Sequence, residues 1–360
     1  MIAPGFELVA EEFERVRDEG GAAFAAVVDG EPVVDLTAGM PDDALLLLFS
    51  GTKGLVAVCM LIQVERGAIE LDAPVSRYWP GFHPDVLVRH VVSHTAGLPG
   101  LRRGYQAADL LDGRARAADI AAEPPFWPPG SRLAYHAMSY GWLCDELIRR
   151  TDGRSVGRFF AEDVAAPLGL ELWIGLPAEQ ERRVAQLHRA EDFGITYLGE
   201  GPEPLLEALY GSLLREFRWN EPAFHQAEIP GGNAIGAARS IARLYGNLDR
   251  ILDADTILLG RTQLARDRCA VTRRPYAYGV GFELQTELRR FGPPDDAFGH
   301  TGSGGSTHGA WPTERVGFSY AMTELRAEAT DDRGNRLLAA LHQALRERSS
   351  VDQKSSPVSM

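Results

Sequence analysis

The sequence contains few cysteines, and the three that it has lie far apart in the chain. Cys59, Cys144 and Cys269 never form a CxxC pair, so they do not indicate a disulfide framework. The N-terminal segment also lacks the basic start and the apolar stretch of a secretory signal, and its pattern is typical of an amphipathic surface helix. We therefore expect a cytoplasmic protein.

Positive charge is also scarce. Lys and Arg number 37 against 50 Asp and Glu, which gives a formal net charge of −13, and no basic run is interleaved with aromatic residues. An acidic surface repels phosphate backbones, so nucleic acid is not expected as a partner. A phosphate-binding loop is missing as well, because Lys53 follows Thr52 rather than the glycine that GxxxxGK[ST] requires. We expect no cofactor and no metal.

Long hydrophobic runs are almost absent. Residues 44–64 are long enough to cross a membrane, but their middle is Ser50-Gly51-Thr52-Lys53-Gly54. A lysine at the centre of a membrane helix costs about 2.5–3.5 kcal/mol on insertion scales. A core segment that enters a buried helix explains the same run, so we predict no membrane partner.

Apolar residues make up 45% of the 360-residue chain, enough for a large core. Strand patterns occur near both ends and a helical, Pro-rich and Gly-rich section lies between them, which predicts an α+β fold. We expect residues 1–68 and 240–347 to form one split domain, an antiparallel sheet flanked by helices. Residues 69–239 would form a mainly helical lobe, and residues 348–360 a disordered tail.

The elements predicted from local patterns are consistent with this division. They are a surface helix over 6–19, a hairpin over 22–39 that turns at Asp29-Gly30, a buried helix over 52–66, strands over 276–284, 306–312 and 316–325, and a last helix over 335–348.

The sharpest local motif is SGTK at residues 50–53, where an apolar run gives way to the buried helix. Positions i and i+3 share one helix face, so Ser50 would lie beside the Lys53 ammonium at the positive end of the helix dipole. A lysine whose pKa is lowered by burial can accept the serine proton and so activate a nucleophile. Ser50 as a simple N-cap fits the same position.

Two further segments occur in order after this motif, LAYHAMSYG at 133–141 and FGHTGSGGS at 298–306, together with LDAPV at 71–75, VSHTAGLP at 92–99 and PG at 129–130. The set resembles the serine β-lactamase and penicillin-binding-protein superfamily, in the branch of class C β-lactamases, D-alanyl-D-alanine peptidases and family VIII carboxylesterases. The resemblance extends from about residue 20 to 345 and implies a β-lactamase/transpeptidase-like fold.

The resemblance also implies roles for particular residues. Ser50 would be the acylated nucleophile, and Lys53 and Tyr135 would share the general-base work. The backbone N–H groups of Ser50 and Ser303 would form the oxyanion hole. His300-Thr301-Gly302 would line the site as candidate substrate-binding residues. The alternatives are an ordinary half-buried aromatic at Tyr135 and a flexible turn at GSGGS.

Departures from the family pattern bear on the substrate. Tyr135-His136-Ala137 replaces Tyr-x-Asn, so the amide that would engage an acylamino side chain is missing, and His300 replaces the usual lysine. Both changes weaken recognition of penicillin-like or peptidoglycan-like acids and occur in esterase-like members of the family. His136 is a further substrate-binding candidate. His136 and His308 would either line the substrate pocket or pack in the protein interior. His90 and His94 are spaced for a helical metal site, but a structural role is favoured.

These observations predict a serine hydrolase that acts on small-molecule carboxylic esters or amides through an acyl-enzyme on Ser50. One alternative is an acyltransferase of small-molecule biosynthesis that passes the acyl group to an amine or alcohol. A β-lactamase, a D-Ala-D-Ala peptidase and a non-catalytic binding module are the further alternatives. The oligomeric state stays open.

Overall fold

The computed structural model describes residues 1–17, 20–193, 203–327 and 330–355. The strands in these residues are β1 Ala22–Val28, β2 Glu31–Ala38, β3 Leu46–Leu47, β4 Leu172–Trp173, β5 His188–Arg189, β6 Ile235–Gly236, β7 Ala265–Arg268, β8 Pro275–Tyr278, β9 Glu283–Leu284, β10 Phe298–Thr301, β11 Thr307–Trp311, β12 Val316–Met322 and β13 Glu324–Leu325. The helices are α1 Glu7–Val16, α2 Thr52–Glu65, α3 Val88–Val92, α4 Gly113–Ala122, α5 Ser139–Asp152, α6 Val156–Phe160, α7 Ala166–Leu168, α8 Glu203–Tyr210, α9 Pro222–Gln226, α10 Ala238–Gly246, α11 Ala254–Gly260 and α12 Arg333–Ser355.

The main sheet has eight strands in the order β2-β1-β12-β11-β10-β9-β8-β7, and neighbouring strands are antiparallel. Strand β1 pairs with β12 from Ala22 opposite Met322 to Val28 opposite Val316, so the two ends of the chain meet in one sheet. The predicted α+β fold with an antiparallel sheet is therefore confirmed. Within the described residues, no helix has the length and apolar character needed to cross a membrane.

Helices cover both faces of this sheet. The alternate β1 residues Phe24 and Ala26 belong to the main core, in which α1 and α12 also pack against each other. Ala23, Ala25 and Val27 face the other way and form a smaller cluster with α10. Because side chains of a strand alternate between faces, covering both faces explains why β1 is apolar throughout.

Helix α2 lies in the interior, and all of its residues from Thr52 to Gln63 are buried. It contacts the helices α5, α6 and α11 and also strand β10 of the main sheet. This burial explains why the sequence of α2 is apolar on nearly all sides. The first turn of α2, which includes Lys53, therefore lies in the core.

The section between the two halves of the sheet contains helices and also short strands, which the sequence patterns do not predict. Strands β3, β6 and β4 form a small sheet, and β5 pairs in parallel with β13. The division at residues 68 and 240 remains a prediction.

The predicted disordered tail needs correction, because α12 continues to Ser355 and residues 348–355 are helical. Extension of an existing helix adds one hydrogen bond per residue without a new nucleus, which outweighs the weak propensity of this polar segment. Residues 356–360 lie outside the described residues.

Candidate active site

Ser50 lies in a short 3₁₀ turn, Phe49–Gly51, directly before α2. Phe49 has a φ of 47°, a left-handed conformation that is uncommon for a bulky residue and turns the chain sharply ahead of Ser50. The Thr52 hydroxyl holds this turn, since it donates to the Phe49 carbonyl at 2.6 Å and accepts the Ala234 N–H at 2.8 Å. The N-cap of α2 is Gly51, so Ser50 is not the capping residue.

The side chain of Lys53 points back to Ser50 from the first turn of α2. Its Nζ donates to Ser50 Oγ at 3.0 Å and to the Gly231 carbonyl at 2.6 Å. The side chain is fully buried, and burial holds the pKa of Lys53 well below its ordinary value, although the negative charge of Glu283 opposes this shift. A lowered pKa favours the neutral amine, which is the form that can accept a proton.

Tyr135 approaches Ser50 from the loop before α5. Its hydroxyl donates to Ser50 Oγ at 2.6 Å, and Lys53 Nζ lies 4.8 Å from the centre of its ring. The ring is held between aromatic neighbours: it stacks on Tyr276 at 5.6 Å and lies 5.2 Å from the His94 ring. Tyr135 is therefore directed at Ser50 and is not merely an aromatic packing residue.

Strand β10 ends beside the Ser50 turn. A Cβ on Gly302 would lie 2.3 Å from the Leu48 carbonyl oxygen, so only glycine allows this close approach. The Thr301 hydroxyl donates to the Glu283 carboxylate at 3.0 Å, and Glu283 is itself buried. The approach brings Ser303 into the same cavity as Ser50, where their backbone N–H groups could polarise one carbonyl oxygen.

His136 and His300, the two histidines predicted to bind substrate, are both buried, and neither forms part of the wall of the Ser50 cavity. His136 Nδ1 bonds the Ala134 carbonyl at 2.6 Å, and His300 Nδ1 bonds the Thr301 carbonyl at 2.7 Å. Burial lowers the pKa of His136 to about 4 and that of His300 well below its ordinary value, so both rings are neutral. Their role in substrate binding stays a prediction.

The remaining histidine candidates also pack in the interior or hold local structure. His308 Nδ1 lies 2.8 Å from Ser319 Oγ, and its ring fills the space beside Gly51. His90 accepts the Leu87 N–H and His94 accepts the His136 N–H, so the two rings do not face one ion. No group of three His, Cys, Asp or Glu side chains is placed to hold a metal within the described residues.

The cavity at Ser50 has a volume of about 120 Å³ and a mainly apolar wall, most of which sequence reasoning did not identify. Its lining consists of Phe49, Ser50, Ala137, Met138, Arg189, Phe193, Tyr210, Leu213, Phe217, Trp219, Gly231, Gly232 and Ser303. Ala137 occupies the third position of the tyrosine motif, so a methyl group stands where related enzymes place an amide. Gly231 and Gly232 follow Pro230 in the sequence, and Gly231 supplies the carbonyl that binds Lys53.

A larger cavity of about 560 Å³ lies against the same strand end. Thr301, Gly302 and Ser306 line it on one side, and the β7–β8 turn, including Arg273 and Arg274, lines it on the other. Thr301 and Gly302 therefore border this second cavity, while the next residue, Ser303, borders the cavity at Ser50.

An antiparallel sheet flanked by helices, with serine, lysine and tyrosine joined at the start of a buried helix, defines a serine acyl-transfer enzyme. The Beta-lactamase family model matches residues 9–343, and the chain belongs to this family, in its esterase branch. The esterase/beta-lactamase LipL of Mycobacterium tuberculosis is 32% identical over 354 residues, which cover 90% of this chain and 82% of LipL.

Two other similarities bear on function. The solved structure of a family VIII carboxylesterase superposes with a TM-score of 0.87 at 32% identity and covers 96% of this chain and 98% of that chain. The acyltransferase calJ of Penicillium decumbens is 24% identical over 178 residues, 42% of either protein. The β-lactamase/transpeptidase-like fold inferred from the motifs is thereby confirmed.

Proposed function

We propose that the protein is a serine esterase that cleaves small carboxylic esters with a compact, apolar acyl group. The observation that carries this proposal is the position of Ser50 Oγ, which lies 2.6 Å from the Tyr135 hydroxyl and 3.0 Å from Lys53 Nζ at the wall of an apolar cavity. Both distances allow direct proton transfer. The esterase names of LipL and of the carboxylesterase structure support the same activity.

The reaction has two stages. Ser50 Oγ attacks the ester carbonyl while its proton passes to the Lys53–Tyr135 pair, and the N–H groups of Ser50 and Ser303 stabilise the oxyanion. The pair then returns the proton to the alcohol oxygen as the C–O bond breaks, which leaves an acyl group on Ser50. Water attacks this acyl-enzyme with help from the same pair and releases the carboxylic acid and free Ser50.

Apolar side chains around Ser50 determine which acyl group fits. Phe49 and Trp219 pack edge to face with ring centres 5.5 Å apart, and Met138 and Phe217 line the same cavity. Ala137 offers no amide, and His300 is neutral, so neither an acylamino side chain nor a carboxylate gains the usual partner. These features favour a simple apolar ester over a penicillin or a D-Ala-D-Ala peptide.

Acyl transfer to an alcohol or amine is the second candidate function. The 560 Å³ cavity bordered by Thr301 and Gly302 offers space for an acceptor, since the next residue, Ser303, borders the cavity at Ser50, and the acyltransferase name of calJ supports the chemistry. A bound acceptor competes with water for the same acyl-enzyme. If this function is correct, one acceptor should accelerate decay of the acyl-enzyme at least about tenfold, which is about 1.4 kcal/mol of the barrier.

Turnover of p-nitrophenyl esters of increasing acyl length tests the esterase proposal. We expect activity with short apolar acyl groups, a fall as the chain outgrows the cavity, and none above background with Ser50→Ala. Ser131→Ala is the matched control, because Ser131 is exposed and its hydroxyl bonds only locally, to the Pro128 carbonyl. Equal activity of Ser50→Ala and the wild type would contradict the proposal.

We also propose a reducing, cytoplasmic location. Cys59, Cys144 and Cys269 are all free and buried. Burial raises the pKa of the Cys59 thiol well above its ordinary value, which keeps it protonated and unreactive. Localisation of a fluorescent fusion in cell fractions tests this proposal, and recovery in an oxidising compartment would contradict it.

A further inference from the structure

His94 occupies a turn that the proposed chemistry does not use. It follows α3 within the VSHTAGLP segment, its side chain is fully buried, and its φ of 60° is left-handed. Such a conformation is uncommon for a residue other than glycine, so the surrounding structure must hold it in place. The turn ends directly beside the segment that carries Tyr135.

Two hydrogen bonds connect His94 to the residues on either side of Tyr135. The Ala134 N–H donates to the His94 carbonyl at 3.0 Å, and the His136 N–H donates to His94 Nδ1 at 3.0 Å. The N–H of Tyr135 itself donates to the Cys269 sulfur at 3.3 Å, and sulfur is a weak acceptor. His94 therefore binds the backbone on both sides of Tyr135.

The bond from His136 also determines the protonation of His94. Because Nδ1 accepts a hydrogen bond, the ring proton must be on Nε2 and the ring must be neutral. Burial holds the pKa of His94 well below its ordinary value, which keeps the acceptor available. The ring also lies 5.1 Å from Tyr140 and 4.2 Å from Tyr278, so its orientation is restricted.

We infer that His94 is a positioning residue for the proposed proton transfer: its Nδ1 acceptor fixes the backbone on which Tyr135 directs its hydroxyl at Ser50. The inference rests on the proposed function, since it assigns His94 to the alignment of Tyr135 in acylation. His94 does not line the cavity at Ser50, so it acts without touching the substrate. A purely structural role, in which the ring only fills space among tyrosines, predicts different consequences of substitution.

Two substitutions separate the acceptor from the ring. Asparagine places its Oδ1 near the position of Nδ1 and tolerates a left-handed backbone, but it lacks the ring. Phenylalanine retains the ring and lacks the acceptor. If the inference is correct, His94→Asn should be acylated faster than His94→Phe. If the ring only fills space, His94→Phe should be acylated faster than His94→Asn.

The measurement is single-turnover acylation by p-nitrophenyl butyrate, followed by release of p-nitrophenol in a stopped-flow instrument. We expect His94→Phe to lower the saturating acylation rate constant about tenfold to a hundredfold, and His94→Asn to remain within about threefold of wild type. The ester concentration for half-maximal rate should change little in either variant, because the cavity wall is intact. Rates are normalised to the fraction of protein that is folded and acylated.

Combination with Tyr135→Phe tests whether His94 acts through Tyr135. In that background His94→Phe should lower the rate by less than about twofold, since the group that it positions is already lost. A rate for His94→Phe equal to or above that of His94→Asn would overturn the inference alone. Failure of the wild type to be acylated would overturn the proposed function and the inference together.

Discussion

Replacement of Tyr135 with phenylalanine removes one hydroxyl and leaves the ring in its stack. The lost group lies 2.6 Å from Ser50 Oγ, which keeps its bond to Lys53 at 3.0 Å. Proton transfer by a positioned side chain contributes about 10²–10⁴ in rate, which corresponds to about 2.7–5.4 kcal/mol of the barrier. A single hydrogen bond contributes only about 0.5–1.5 kcal/mol to stability. We therefore expect a large loss of activity with a small loss of stability.

The assay pairs acylation kinetics with denaturant unfolding of the same samples. Tyr278→Phe is the matched control, because Tyr278 is nearby and fully buried and its hydroxyl has no hydrogen-bond partner among the described residues. This control should acylate within about twofold of wild type, a change far smaller than the effect expected from loss of a catalytic group. Loss of less than about fivefold in Tyr135→Phe would refute the assignment of Tyr135 to proton transfer.

Three further predictions follow from the same site. Because the pKa of Lys53 is lowered in the fold, the unfolded chain binds the extra proton, so the free energy of unfolding should rise with pH between the folded-state pKa and the ordinary lysine value. Lys53→Met should flatten this rise in urea titrations at several pH values, and an unchanged slope would contradict the shift. Ala137→Asn should raise the ratio of nitrocefin hydrolysis to p-nitrophenyl butyrate hydrolysis, because it restores an amide at the cavity wall; an unchanged ratio would show that Ala137 does not set this preference. Phe217→Ala should enlarge the cavity and shift the preferred p-nitrophenyl ester to a longer acyl chain, and an unaltered chain-length profile would place the acyl group elsewhere.

Local signals were sufficient for the first hairpin, and the family motifs for the Ser50, Lys53 and Tyr135 cluster, whereas strands β7 and β10 were not among the elements predicted from local patterns. The Asp29-Gly30 turn predicts the β1–β2 hairpin, and both residues have the positive φ that such a tight turn requires, 51° and 82°. The family spacing of SGTK and the tyrosine motif identifies Ser50, Lys53 and Tyr135, whose side chains meet although Tyr135 is 85 positions from Ser50. Residues that must meet in one reaction can therefore be identified together from the spacing of their motifs.

Other features depend on contacts between distant segments and could not be predicted locally. The apolar cavity wall combines Phe49, Met138 and Trp219 from separate parts of the chain. His136 is adjacent to Tyr135, yet its ring is buried and its Nδ1 bonds the Ala134 carbonyl. The helical end of α12 was missed because polar residues with weak propensity continue a helix that has already formed.

The central claim is that Ser50 is acylated, and intact-protein mass spectrometry after treatment with a fluorophosphonate and with p-nitrophenyl esters tests it most directly. We predict one adduct per wild-type chain, located by peptide mapping on Ser50 and absent from Ser50→Ala, with Ser131→Ala labelled like wild type. Decay of the ester-derived adduct with and without added alcohols or amines then separates hydrolysis from acyl transfer. No adduct from any reagent, or an adduct that persists in Ser50→Ala, would contradict the account.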